Sequence, residues 1–315
     1  MAEPAPARPA RSLPRIGLTL PQFRRDPAAA LAAFDELWRL GYGGAFVFDH
    51  LWPLLQPTRP ALECWTLLAA LAARHSRRAV VGEQGNAGGG FRLGTLVTRA
   101  GLRAPSLLAH MATTVRSVAG TPLIVGLGAG DARSRPENEA FGLPHGDAAG
   151  RLAGVEAAAR ALAQTGKGTA EVWIGGLSPA VQVLAGRLAD AWNAWGVTPD
   201  ELAAGLAQAR QAAERAGRDP ASVHATWGGQ ALIGADEAEA QALLGRWAGG
   251  RDPREVASTV AGDATTVLRR LRELGEAGAT WCVVAFVGGS DQQLAAMRSM
   301  LANAAGFVIQ APQHA

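Results

Sequence analysis

Eight short apolar runs recur along the chain, and a helix signal fills each interval between one run and the next. The runs span 16–22, 44–48, 91–98, 122–127, 171–174, 189–193, 223–227 and 281–287. The intervals carry apolar residues three and four apart, as in Leu31, Phe34 and Trp38 or Leu108, Met111, Val115 and Val118, which puts them on one helix face. Parallel strands need crossovers long enough to hold such a helix, so strict alternation predicts a parallel sheet. Eight units predict a single (β/α)8 TIM barrel over residues 15–305, with a flexible Pro/Ala-rich tail at 1–14 and a second tail at 306–315. The competing architecture is a doubly wound sheet. It is disfavoured because no Gly-x-Gly-x-x-Gly follows the first run.

Turn chemistry supports these boundaries. Asp26-Pro27, Pro105, Ser178-Pro179 and Asp263 open helices, and Gly41, Gly120 and Gly278 close them. Ala79-Val80-Val81 reads as the start of a further strand, followed by a loop at 82–90 that contains five glycines.

Composition excludes several classes of function. At 48% hydrophobic and 18% charged residues, the chain has ample material for a core despite its 39 glycines. No run approaches the roughly 20 apolar residues of a membrane span, and the proline-containing first residues lack a secretory signal's apolar segment. A cytoplasmic protein with no membrane partner is expected. The net charge of +3 rests on scattered arginines, with Lys167 the one lysine, so the basic stripe of a nucleic-acid binder is missing. Cys64 and Cys282 fall in separate apolar segments and read as buried thiols. His75 and His110 fall on predicted helices and no His-x-His spacing exists, so no metal is expected.

Active sites of such barrels occupy the carboxyl ends of the strands, and four of those ends carry functional-looking groups. At the second, Asp49, His50 and Trp52 follow the apolar run; an imidazole exchanges protons near neutral pH, and an indole can wall a flat ligand or simply fill a gap. Alternation along the strand points Asp49 away from His50, where it serves backbone amides. The third end holds Leu96, Val97 and Thr98. The fourth holds Gly128, Ala129 and Gly130, which allow close backbone approach, with Asp131 at the rim as acceptor or proton relay. At the fifth, Gly175, Gly176, Leu177 and Ser178 lead into a helix whose free amides suit a phosphate, or form an ordinary turn.

In combination and in order, several stretches resemble the bacterial luciferase-like flavin or deazaflavin oxidoreductases. They are 44–50, Leu62-Glu63-Cys64-Trp65, Leu93-Gly94-Thr95-Leu96-Val97-Thr98, Leu107-Leu108-Ala109-His110-Met111, 124–130, Trp173-Ile174-Gly175-Gly176 and Ala189-Asp190-Ala191-Trp192-Asn193. The resemblance covers most of 16–193, and the last third follows in outline. It implies a (β/α)8 barrel that binds coenzyme F420 or FMN at the carboxyl face. The Asp-His-Leu-Trp form at 49–52 is most similar to the F420-dependent branch. By position this implies His50 as acid or base beside the deazaflavin, Trp52 shaping the pocket, and Asp131 in proton transfer where some relatives carry glutamate. The resemblance also implies backbone amides of Gly175, Gly176 and Leu177 on the cofactor phosphate, and a cis Leu96–Val97 peptide behind the ring. A homodimer is its expected assembly. The chain departs from the family in the insertion at 82–90 and in a shorter stretch between Arg151 and Trp173, which removes part of the lid over the substrate.

The resulting expectation is an F420-dependent oxidoreductase that passes a hydride between the deazaflavin and a small organic substrate. A reduced-FMN monooxygenase and a catalytically silent flavin-binding barrel are the alternatives.

Overall fold

Eight parallel strands close into a ring. In chain order they are β1 (Arg15–Thr19), β2 (Gly44–Val47), β3 (Arg92–Arg99), β4 (Leu123–Gly128), β5 (Ala170–Gly175), β6 (Ala191–Trp195), β7 (His224–Ile233) and β9 (Ala279–Phe286). Each pairs with its successor, β7 pairs with β9, and β9 pairs with β1 to complete the circle. A further strand, β8 (Val260–Gly262), adds to the far end of β7 outside the ring. The computed structural model describes residues 13–53, 56–80, 90–166 and 168–305, with the backbone alone for 79 and 80. The tails therefore lie outside the described residues except for Leu13 and Pro14, as does the loop at 82–90 except for Gly90.

Helices α1 (Ala28–Arg39), α2 (Cys64–Val80), α3 (Pro105–Ala119), α5 (Ala148–Ala163), α6 (Pro179–Leu188), α7 (Pro199–Arg215), α10 (Ala264–Glu276) and α11 (Asp291–Ala305) surround the ring. Short helix α4 (Arg135–Ala140) sits above β4, and α8 (Glu237–Ala248) and α9 (Pro253–Ala257) follow β7. Among the described residues, no helix is long and apolar enough to cross a membrane.

Two apolar layers result. The outer one lies between strands and helices; the inner one fills the barrel with Phe46, Leu96, Ile124, Trp173, Ala191, Trp281 and Val283. Phe46 stacks on Trp173 at 5.6 Å and meets the edge of Trp281 at 5.7 Å. Glycines on the flanking strands make room for its ring, because a Cβ would fall 2.4 Å from it at Gly17 and 2.7 Å at Gly94. At the amino-terminal end, the Arg15 guanidinium covers Trp281 at 4.3 Å.

Two expectations need correction. Ala79 and Val80 continue α2 instead of starting a strand, and the helix face carrying Leu68, Leu71, Ala72 and His75 is buried. The sixth strand begins at Ala191, because Ala189 ends α6 and the Asp190 carboxylate accepts the Val172 amide at 2.8 Å. The segment between the seventh run and Asp263 carries no element-by-element expectation. It extends β7 to Ile233 and builds α8, α9 and β8 at the carboxyl face.

Candidate active site

Along β2 the side chains alternate: Phe46 faces the barrel interior and Val47 the helices. Gln22, fully buried, holds the next residue by accepting the Phe48 amide at 2.6 Å and donating to its carbonyl at 2.8 Å. Asp49 is also buried. Its carboxylate accepts the Arg99 backbone amide at 3.0 Å and pairs with the Arg103 guanidinium at 2.6 and 3.1 Å, while Arg99 Nε donates to its carbonyl at 2.8 Å. Its side chain thus ties the end of β2 to β3.

His50, one quarter exposed, places Nδ1 3.0 Å from Oε2 of Glu137, whose side chain has no exposure. The other carboxylate oxygen accepts the Leu51 amide and, at 3.0 Å, Arg99 Nη2. Arg99 is held in turn by Asn138 at 2.7 Å. Burial pushes the Glu137 pKa up, but the hydrogen bonds from His50 and Leu51 and the electrostatic pull of His50 and the Arg99 guanidinium outweigh it, so the carboxyl lies below its ordinary range. An ionised Glu137 only accepts hydrogen bonds. Nδ1 is therefore the protonated nitrogen, and Nε2, which has no partner among the described residues, is left for exchange with a ligand.

On β3 the Leu96–Val97 peptide is cis, as the resemblance implies, and both side chains pack on the interior cluster. Val97 lies across three glycines of β4 and β5. A Cβ would come within 2.8 Å of Val97 at Gly126, 2.4 Å at Gly128 and 3.1 Å at Gly175, so Val97 and these glycines form one side of the floor. Thr98 is buried, its hydroxyl without a partner among the described residues.

Asp131 is engaged by its own short helix. Its carboxylate accepts from the Ser134 amide and hydroxyl at 3.1 and 3.2 Å and from Arg133 at 3.2 Å. Ala129 and Gly130 line a cavity of about 270 Å³ together with Arg99, Asn138, His145 and Arg151. Trp52 lies 5.7 Å from Phe141 over the loop that follows β2.

At the end of β5, Gly176 adopts φ 140°, its amide donates to the Asn193 carbonyl at 3.1 Å, and its own carbonyl accepts Trp192 Nε1 at 2.7 Å. Ser178 caps α6 by accepting the Val181 amide at 3.4 Å, and Leu177 is 52% exposed. The Gly176 amide, expected on a cofactor phosphate, is thus spent on Asn193, whereas the amides of Leu177, Ser178 and Ala180 find no partner among the described residues.

A sequence model of the family described as luciferase-like monooxygenase matches residues 11–281. The chain belongs to the luciferase-like monooxygenase family. Its relatives include the phthiodiolone/phenolphthiodiolone dimycocerosates ketoreductase of Mycobacterium sp. (strain JLS), 29% identical over 213 residues that cover 60% of this chain and 51% of that protein. The chain thus spans about half the length of that relative. An F420-dependent secondary alcohol dehydrogenase in complex with an F420-acetone adduct superposes with TM-score 0.72 at 17% identity, over 93% of this chain and 99% of that one. EDTA monooxygenase (EmoA) from Chelativorans sp. BNC1 superposes with TM-score 0.72 at 15% identity, over 93% of each chain. At these identities the superpositions establish a shared luciferase-like barrel. Both F420-dependent and monooxygenase members use it, and the family is one of oxidoreductases.

The structure gathers His50, Leu96, Val97, Gly128, Gly175 and Gly176 at the carboxyl face of the luciferase-like barrel. Sequence reasoning missed Glu137, Arg99, Arg103 and Gln22. Pro136 in a first helical turn was the available signal for α4, and an arginine ending an apolar strand with a second four residues on was the signal for buried partners.

Proposed function

We propose that this chain is an F420-dependent oxidoreductase acting on a small organic substrate, with His50 as its acid and base. When bound, the deazaflavin supplies or takes the hydride. The residues present fit that group. Val97 and the glycines beside it give a floor free of protruding side chains, and the free amides of Leu177, Ser178 and Ala180 at the positive end of α6 suit its phosphate. His50 delivers a proton to the substrate oxygen from Nε2, or removes it, while Glu137 holds Nδ1 and stabilises the imidazolium. That held imidazole is the observation that carries the proposal.

A reduced-FMN monooxygenase is the second reading, supported by the equal TM-score of EDTA monooxygenase. For either, the exposed Leu107 and Val118 on α3 support a homodimer. The test is His50→Asn. It should lower kcat about a hundredfold, as loss of a positioned acid-base group does, with F420 affinity unchanged within about threefold. An unaltered kcat would remove His50 from the reaction.

A further inference from the structure

Phe48 follows β2 and Trp195 ends β6, strands that stand opposite one another in the closed ring. Their rings nonetheless meet, with centroids 5.9 Å apart and planes at 67°, so the pair crosses the barrel mouth. Phe23, beyond the end of β1, extends the array by stacking on Phe48 at 6.0 Å and 12°. Each of the three remains only part-buried. Trp195 reaches inward over a floor cleared for it: a Cβ on Gly228 of β7 would stand 2.7 Å from its ring and 3.4 Å from Leu96. The Gln22 clamp on both backbone groups of Phe48 fixes the other end.

Among the described residues, several charged groups around this array are paired with an opposite charge, whereas Arg59 is held by the neutral Phe23 carbonyl and Gln56 side chain. Arg24 holds Asp291 through two bonds of 3.0 and 2.9 Å, Glu255 is taken by Gln230 and Arg251, and Arg99 and Arg103 are engaged by Glu137, Asp49 and Glu63. Among the described residues, the mouth therefore offers aromatic surface and one exchangeable imidazole nitrogen, with Arg59 beside Phe23 turned to the Phe23 carbonyl and Gln56.

We infer that Phe48, Trp195 and Phe23 are specificity-determining residues that pack the apolar chain or ring of a neutral carbonyl or alcohol substrate. The inference rests on the proposal that the reaction occurs beside His50, and it adds the class of substrate. Aromatic faces half-open inside a concave mouth gain by burying an apolar ligand. A charged ligand would lose its hydration against those faces.

The test is calorimetric titration of the purified full chain, without added cofactor, with unbranched 2-alkanones of increasing length. Affinity should rise about three- to fourfold per added methylene, the gain expected for a buried CH₂. Trp195→Ala and Phe48→Leu should each reduce that gain to less than about twofold per methylene, whereas Trp195→Phe should keep most of it. An oxo-carboxylate of matched length should bind at least about tenfold more weakly than the ketone. Phe48→Leu gives the same readout if Trp195→Ala does not fold. An undiminished gain in Phe48→Leu, no gain in the unaltered chain, or preference for the carboxylate would overturn the inference. Loss of F420 binding in a separate titration, with the chain-length gain intact, would defeat the proposed cofactor and leave the apolar substrate surface supported.

Discussion

Nδ1 of His50 lies 3.0 Å from Oε2 of Glu137, a carboxylate shut away from solvent and shared with Arg99. Glu137→Gln keeps the shape and removes the charge. It should lower kcat about ten- to a hundredfold with cofactor affinity nearly unchanged, as measured by steady-state kinetics beside a binding titration. Glu137→Ala should destabilise the fold by about 3–5 kcal/mol, since Arg99 loses its buried partner. The pH sign follows from the depressed carboxyl. Its stabilisation is complete above the ordinary value of 4.5 and fades as pH falls through the lower folded value. Urea unfolding of unaltered chain and Glu137→Gln should therefore differ by a constant amount above about pH 5 and converge on further acidification.

Gly128 has no side chain because Val97 occupies that space. Gly128→Ala would put a Cβ 2.4 Å from Val97 Cγ2 and should destabilise by about 1–3 kcal/mol, the usual penalty for overpacking. Val97→Ala in the same chain should restore more than half of the loss. A double-mutant cycle in urea measures the coupling, and additive losses would show that the two sites do not share the space.

The barrel was legible because each strand run carries its own apolar signature and each helix its stripe. Asp49, too, could be read: alternation turned it away from His50 and toward backbone amides, and it accepts that of Arg99. Glu137 was hidden for a physical reason. It sits on a six-residue helix inside a polar stretch, and its partner is 87 residues earlier, so no local periodicity marks it. Arg103 was hidden likewise, since a buried arginine looks like a surface one until Asp49 and Glu63 are placed beside it. The crossing of Phe48 and Trp195 depends on ring closure, which sequence spacing does not describe.

His75 offers a pH test outside the site. Its ring packs on Trp38 and Phe91, its Nδ1 lies 3.2 Å from the Ala119 carbonyl, and burial lowers its pKa more than that hydrogen bond raises it. The unfolded chain thus takes up this proton at higher pH than the folded one, so stability falls as pH drops through the ordinary histidine value of about 6.5. Relative to His75→Phe, the unaltered chain should lose stability between about pH 7.5 and 5.5. A pH-independent difference would show that His75 titrates alike in both states.

The central claim is that the mouth of this luciferase-like barrel takes a deazaflavin. Equilibrium titration of one purified preparation with F420 and with FMN, followed by fluorescence, tests it most directly. The account predicts saturable micromolar binding of F420 and at least about tenfold weaker binding of FMN, a difference of about 1.4 kcal/mol. Micromolar affinity for FMN with none for F420 would contradict it.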